Sequence, residues 1–218
     1  MEGRGELFTE QFLVKLRALI DAHHVAYPQN PPQGQFFESL VERAFRQAER
    51  QNVHVVLNTP NLPDYDLLVG TSKISLKTET GFKTKRDFIT ITKLCTTEKE
   101  PWDVPTLIRH TLAHLSRYNH ILMLRAIWTD RVGIHYQLLE VPVPLLQLMG
   151  DLAASPSGRR KGRQSISGDV HESGHKVFRV FFDGSDGKCK IQGDLLGQSC
   201  DRIRQTPPLP LCVLRTKT

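Results

Sequence analysis

Apolar residues recur along this chain with two different periods, and the switches between them mark its elements. After Thr9, a residue able to cap, Phe12, Leu13, Leu16, Leu19 and Ile20 return every three to four positions, which predicts a helix over residues 9–23. Pro28, Pro31 and Pro32 then break the chain. A second helical stripe over residues 34–45 carries Phe37, Leu40, Val41, Ala44 and Phe45, with Glu38 and Glu42 four apart on its polar side. Beyond it the period falls to two. Residues 53–57 and 88–94 read as strands, and 63–79 reads as a hairpin entered through the turn-forming Asn58-Thr59-Pro60-Asn61. A third helix is predicted over 104–119, with Pro105 in its first turn and Leu107, Ile108, Leu112 and Leu115 as core stripe; Arg109, His110, His114 and Arg117 fall on its other faces. Two strands, 121–128 and 133–141, flank a turn at Thr129-Asp130-Arg131, and a short helix follows over 145–152.

The hairpin concentrates the chemistry. In PDYDLLVGTSKISLKTE, an antiparallel pair closed by Gly70-Thr71-Ser72-Lys73 sets Asp66 opposite Lys77, Asp64 opposite Glu79 and Leu68 opposite Ser75. Strand side chains alternate, so Asp64, Asp66, Ser75, Lys77 and Glu79 share one face, and Leu67, Val69, Ile74 and Leu76 share the other. Like charges and a lysine crowded on a sheet face cost stability unless a cation or polar ligand occupies the site. A solvated edge hairpin whose polar face meets water is the other outcome this spacing allows.

Pro63-Asp64-Tyr65-Asp66 followed by Ser75-Leu76-Lys77 resembles the PD-(D/E)XK nuclease superfamily, best known from type II restriction endonucleases, with Ser75 standing where the family usually carries Asp or Glu. The upstream helix, with a glycine and then Phe37-Glu38, is similar to the superfamily's first motif. The likeness in order and type of element covers residues 34–128. It implies an α/β fold with a restriction-endonuclease-like core, a mixed central β-sheet flanked by helices. The activity it implies is Mg²⁺-dependent hydrolysis of phosphodiester bonds in double-stranded DNA at a short specific sequence, leaving a 5′-phosphate. On this reading Asp66, Asp64 and Glu79 are the metal ligands, and Lys77 is the positive donor beside the attacking water. Asp66 has the claim of standing opposite Lys77, and Asp64 that of directly following Pro63. With Ser75 in the triplet, the second acid falls to Glu79, Glu42 or Glu38. Two further readings fit the same residues: a DNA-binding protein whose nuclease core has lost its second acid, and a repair nuclease that acts on DNA structure.

Composition narrows the setting. A length of 218 residues, 39% hydrophobic and 24% charged, suits one α/β domain, divided here into a catalytic core over 1–128 and the rest of the sheet with DNA-recognition elements over 129–218. No segment approaches the roughly 20 apolar residues of a membrane span, and MEGRGELFTE lacks a signal-peptide pattern, so the expected place is the prokaryotic cytoplasm, with the nucleoid. Cys95, Cys189, Cys200 and Cys212 have neither CxxC spacing nor the density of a disulfide framework and read as free thiols. The 29 basic against 23 acidic residues give a net charge of +6, which suits a polyanionic partner.

The basic residues cluster. Ser155-Pro156-Ser157-Gly158-Arg159-Arg160-Lys161-Gly162-Arg163-Gln164-Ser165 reads as a loop that orders on a phosphate backbone. A strand over 176–184 pairing back with 188–192 forms a basic C-terminal hairpin directed at DNA. Arg159, Arg160, Lys161, Arg163, Gln164, His171, His175, Lys176 and Arg179 are candidates for DNA contact, since arginine and lysine match guanine and glutamine matches adenine in the major groove. Lys83, Lys85 and Arg86, just after the catalytic strand, suit phosphates. Arg202 and Arg204 precede a proline-rich connector, 206–210, to a last strand over 211–215. The expected assembly is a monomer or a homodimer on double-stranded DNA.

Overall fold

Two amphipathic helices open the fold. Helix α1 (Glu10–Ala26) starts where Thr9 accepts a hydrogen bond from the Phe12 N–H at 3.3 Å, and it buries Phe12, Leu13, Leu16 and Ile20. Helix α2 (Gln35–Gln47) buries Phe37, Val41 and Ala44. Phe12 stacks on Phe45 with ring centroids 4.1 Å apart, locking the helices together. The structure, a computed structural model, describes residues 7–48, 53–59, 64–129, 133–158, 163–194 and 211–214.

The helices cover one face of a six-stranded mixed sheet ordered β1-β2-β3-β5-β6-β11. Its strands are β1 (Val55–Leu57), β2 (Leu67–Val69), β3 (Ser72–Glu79), β5 (His120–Trp128), β6 (Ile134–Pro142) and β11 (Leu211–Leu214). Strands β3 and β5 run parallel, in register from Ile74↔His120 to Glu79↔Arg125. A parallel pair needs a long crossover; here it runs through β4 (Phe88–Thr96) and α3 (Val104–Leu115). After β6 the chain turns through α4 (Val143–Gln147) and a 3₁₀ turn, Leu148–Asp151. A second, antiparallel sheet, ordered β4-β10-β9-β8-β7, is completed by β7 (Ser155–Ser157), β8 (Ser165–Glu172), β9 (His175–Asp183) and β10 (Lys188–Asp194).

Two cores result. One lies between α1, α2 and the first sheet, and includes Leu67, Val69, Ile74 and Leu76, the four residues expected on the apolar face of the hairpin. The other joins the opposite face of that sheet, through Ile121, Met123, Leu139 and Val141, to α3 and to Ile91, Val180, Phe182 and Ile191 of the second sheet. No helix among the described residues is long and apolar enough to cross a membrane.

Four expectations are corrected. The central sheet does not take in every strand: β2 and β5 already flank β3, so β4 pairs with β10 and seeds a separate sheet. The stretch 155–165 is not one loop, because Ser155–Ser157 pairs with Ser165–Ser167; Arg159, Arg160 and Lys161 lie outside the described residues, as do Arg202, Arg204 and the connector 206–210. The hairpin closes two residues earlier than expected, through Gly70-Thr71, with Val69 opposite Ser72. Gly70, at φ 59°, supplies the left-handed first loop position that a two-residue reversal needs. A shift of two keeps every side chain on its expected face and changes only its partner. The third helix ends at Leu115, short of 119. Asn119 is drawn instead to β3, donating its N–H to the Lys73 carbonyl at 2.8 Å and accepting from the Lys73 N–H at 3.0 Å.

Candidate active site

Just before β2 begins, the ladder gives way to a side chain. Asp66 still donates its N–H to the Ile74 carbonyl at 2.9 Å. Its carboxylate then takes the place of the next backbone acceptor: Oδ2 receives the Leu76 N–H at 2.6 Å and the Ser75 hydroxyl at 3.1 Å. The carboxylate is therefore held from β3 by one backbone and one side-chain donor. Ser75 is buried, and its hydroxyl fixes the orientation of Asp66. Lys77 Nζ lies 3.9 Å from the same Oδ2, in line with the shifted register, which sets Asp66 beside Ser75 instead of squarely opposite Lys77.

These groups line a cleft of about 710 Å³. Its walls come from the start of α2 (Gly34, Gln35, Glu38), from Asn58, Asp64, Tyr65 and Asp66, from Ser75 to Thr78 of β3, from Ile91 to Thr96 of β4, and from His110, His114 and Arg117 on and just after α3. Asp64 sits at the cleft but is turned toward Lys73, 3.9 Å away.

The electrostatics are those of crowded, partly dehydrated charge. Burial and the Asp66 carboxylate push the Glu38 carboxyl above its ordinary range, against the pull of Lys77. Lys77 is lowered by burial, a shift that Asp66 opposes and Lys93 reinforces. Burial, with Lys77 and Arg117 nearby, lowers His114 to about 4, so its imidazole is neutral at pH 7. Two carboxylates, a dehydrated lysine and a neutral imidazole thus face one space. Such a set can hold a hard cation on oxygen donors and set a positive donor beside a phosphate.

Not every expected residue reaches this cleft. Glu79 turns away: its Oε2 accepts from the Nε of the fully buried Arg125 at 2.7 Å. Glu42, one helical turn beyond Glu38, pairs with Arg46 at 2.8 Å. Glu38 alone of the two glutamates lines the cleft. Lys83, Lys85 and Arg86 are exposed on the loop between β3 and β4. Arg163 lies over the Trp102 ring, 4.7 Å from its centroid, and Gln164 gives its carbonyl to Trp102 Nε1 at 2.7 Å. On the β8–β9 hairpin His171 and His175 are exposed, while Lys176 and Arg179 both bind Asp169, at 3.0 and 2.6 Å. Cys95 and Cys189 are free and face each other across β4 and β10; Cys200 and the Cys212 side chain lie outside the described residues. Lys93, His110, His114 and Arg117 were not among the expected site residues. The spacing 110, 114, 117 traces one polar stripe along the predicted third helix, which in the structure runs from α3 into the turn just after it, a signal the sequence does carry. Among the described residues no three His, Cys, Asp or Glu side chains form a ready-made metal cage.

The comparisons with known proteins bear on the same stretch of chain. The type II restriction enzyme SmaI of Serratia marcescens is 25% identical to it over 184 residues, 83% of this chain and 72% of that enzyme. No solved structure matches. The family model for SmaI, type II site-specific deoxyribonuclease, matches residues 3–201, which include both sheets as far as β10 and the whole cleft. On that match the chain belongs to the SmaI family of type II site-specific deoxyribonucleases, and is a restriction endonuclease acting on DNA.

Proposed function

We propose that the cleft around Asp66 and Lys77 is where this restriction endonuclease hydrolyses DNA, and that it does so as a Ser-x-Lys variant of the PD-(D/E)XK superfamily. The observation that carries this reading is the grip on Asp66: a carboxylate whose Oδ2 is fixed by Ser75 and Leu76, with a lysine 3.9 Å from that same oxygen. The order of α2, the β2–β3 hairpin, α3 and a β5 strand parallel to β3 favours a restriction-endonuclease-like core. We read the chain as one domain, with residues 1–128 forming the catalytic core.

The donor set fits Mg²⁺. This ion is content with one or two carboxylates plus water and substrate phosphate, and the mutual repulsion of Glu38 and Asp66 is what a cation between them would relieve. Asp66 and Glu38 would hold it, with Asp64 at the rim; Mg²⁺ would supply positive charge against that growing on the phosphate in the transition state. Glu38 thereby serves as the acid that Ser75 does not provide, and Ser75 keeps Asp66 oriented. Lys77 stands beside the attacking water, whose oxygen forms the new bond to phosphorus as the P–O3′ bond breaks, leaving a 5′-phosphate. Exposed Lys83, Lys85 and Arg86 suit the DNA backbone, and the β8–β9–β10 region, with His171, His175, Lys176 and Arg179, suits base contacts.

Plasmid digestion tests the reading. With Mg²⁺ the protein is expected to give discrete fragments that EDTA abolishes, and Asp66→Asn and Glu38→Gln are each expected to cut at least about a hundredfold more slowly while still binding duplex DNA. Wild-type cutting by Asp66→Asn rules out this cleft; wild-type cutting by Glu38→Gln alone returns the second acid to Asp64.

A further inference from the structure

The loop between β3 and β4, residues 80–87, joins the strand that carries Lys77 to the strand that carries Lys93, so it leaves from the rim of the cleft. Its first residue, Thr80, donates its hydroxyl to Gln33 at 3.2 Å, next to Gly34 and Gln35 of the cleft wall. Lys83, Lys85 and Arg86 are exposed along it, with Asp87 the one acid among them.

Loops of this kind usually move, but this one is pinned from beneath. Arg125 is fully buried, and its guanidinium donates to the Arg86 carbonyl at 3.1 Å, to the Lys85 carbonyl at 2.5 Å and to the Phe88 carbonyl at 2.6 Å. Glu79 and Gln137 take its remaining bonds, at 2.7 and 2.6 Å. A buried guanidinium is tolerated only when saturated in this way, and three of its five bonds serve to hold the loop. Trp128 adds a further tie, donating its indole N–H to the Thr80 carbonyl at 3.1 Å.

On this fixed base stands Phe82. Its ring lies 4.2 Å from that of Trp128, at 32°, and is 74% exposed. Single exposed apolar side chains are common and call for no explanation. Phe82 differs in its company: an aromatic backing, three neighbouring cations and an anchored backbone beside a nuclease cleft. Positive charge interleaved with an aromatic face is complementary to duplex DNA, whose phosphates take the charge and whose sugars and groove-facing base edges offer apolar surface.

We propose that Phe82, backed by Trp128, packs against the sugar and base surface of the bound duplex while Lys83, Lys85 and Arg86 hold the flanking phosphates. The inference rests on the duplex lying across the Asp66–Lys77 cleft. Arg125 is then a positioning residue that fixes the loop at a set distance from the reacting phosphate.

The test is equilibrium binding of the full chain to a plasmid-derived duplex fragment that the wild type cuts, measured in EDTA over a range of salt. Phe82→Ala is expected to raise Kd roughly tenfold, from the lost burial of its ring, with an unchanged slope of log Kd against log salt, because no phosphate contact is lost. Lys85→Ala is expected to lower the slope by about 0.9, and Phe82→Tyr to restore wild-type affinity. Thermal unfolding of the same variants separates a mere cover for Trp128, which would lower Tm and leave Kd alone, overturning the proposal. Wild-type Kd in Phe82→Ala also overturns it. Asp66→Asn keeps the two questions apart: its continued cutting would sink the catalytic cleft, whereas only the affinity of Phe82→Ala bears on the loop.

Discussion

Strand β3 carries two carboxylate–cation pairings only a few residues apart, and they are built in opposite ways. Arg125, fully buried, is saturated: all five guanidinium hydrogen bonds are made, and the mostly buried Glu79 carboxylate lies 2.7 Å from Nε. Asp66 and Lys77 are loose by comparison, 3.9 Å apart and open to the cleft, with Glu38 and Lys93 both close enough to act on the Lys77 ammonium. The first arrangement is complete without a ligand. The second leaves like charges near one another and gains from whatever binds between them. Proximity of acids and bases on a strand therefore does not identify a reactive site; unfinished pairing does.

The largest effect should come from breaking the complete pair. Arg125→Met leaves Glu79 buried without its partner and is expected to destabilise the fold by about 3–5 kcal/mol, read by urea unfolding. Adding Glu79→Gln should recover part of that loss. A variant as stable as the wild type would show that the pair and its loop contacts are dispensable.

Opening the loose pair should do the reverse, harming activity and sparing the fold. Lys77→Met is expected to slow plasmid cutting by about 10²–10³-fold with Tm unchanged or raised. The sign follows from linkage. Burial lowers the Lys77 pKa below 10.5 in the folded state, so the unfolded chain binds the proton more readily and stability rises with pH across the window up to that ordinary value. Removing the ammonium relieves this cost at neutral pH. A lower Tm for Lys77→Met, with the Tm of the wild type falling as the pH rises through that window, would contradict the argument. The smallest effect belongs to Glu42, whose partner is the exposed Arg46: Glu42→Ala should change stability by less than about 0.5 kcal/mol and leave the cutting rate alone, in contrast to Glu38→Gln one turn earlier.

Much of this contrast is legible in the sequence, and the part that is not has physical reasons. Alternation alone assigns Leu67, Val69, Ile74 and Leu76 to one face and Asp66, Ser75 and Lys77 to the other, because a two-residue error in register preserves faces. The helical periods at both α1 and α3 are equally plain. What alternation cannot convey is competition among partners. Glu79 lies on the right face, but Arg125, its neighbour in the parallel register with β5, claims it, and a parallel register is set by a crossover of some forty residues, invisible in local spacing. The same crossover brings Lys93, His114 and Arg117 to the cleft from strands and helices that no short motif links to Asp66. Strands β7 and β8 escaped notice because Ser155–Ser157 and Ser165–Glu172 are polar and lie beside a run of basic and small residues.

The parallel pairing of β3 with β5 also sets the order in which the molecule can be assembled. The β2–β3 hairpin pairs residues close in sequence, whereas the pairing of β3 with β5 is a contact of high sequence separation, the kind that forms slowly. A nascent chain can therefore carry its acidic hairpin before it carries an enclosed cleft, and, on the active-site assignment proposed above, competence to cut then waits on the docking of β5.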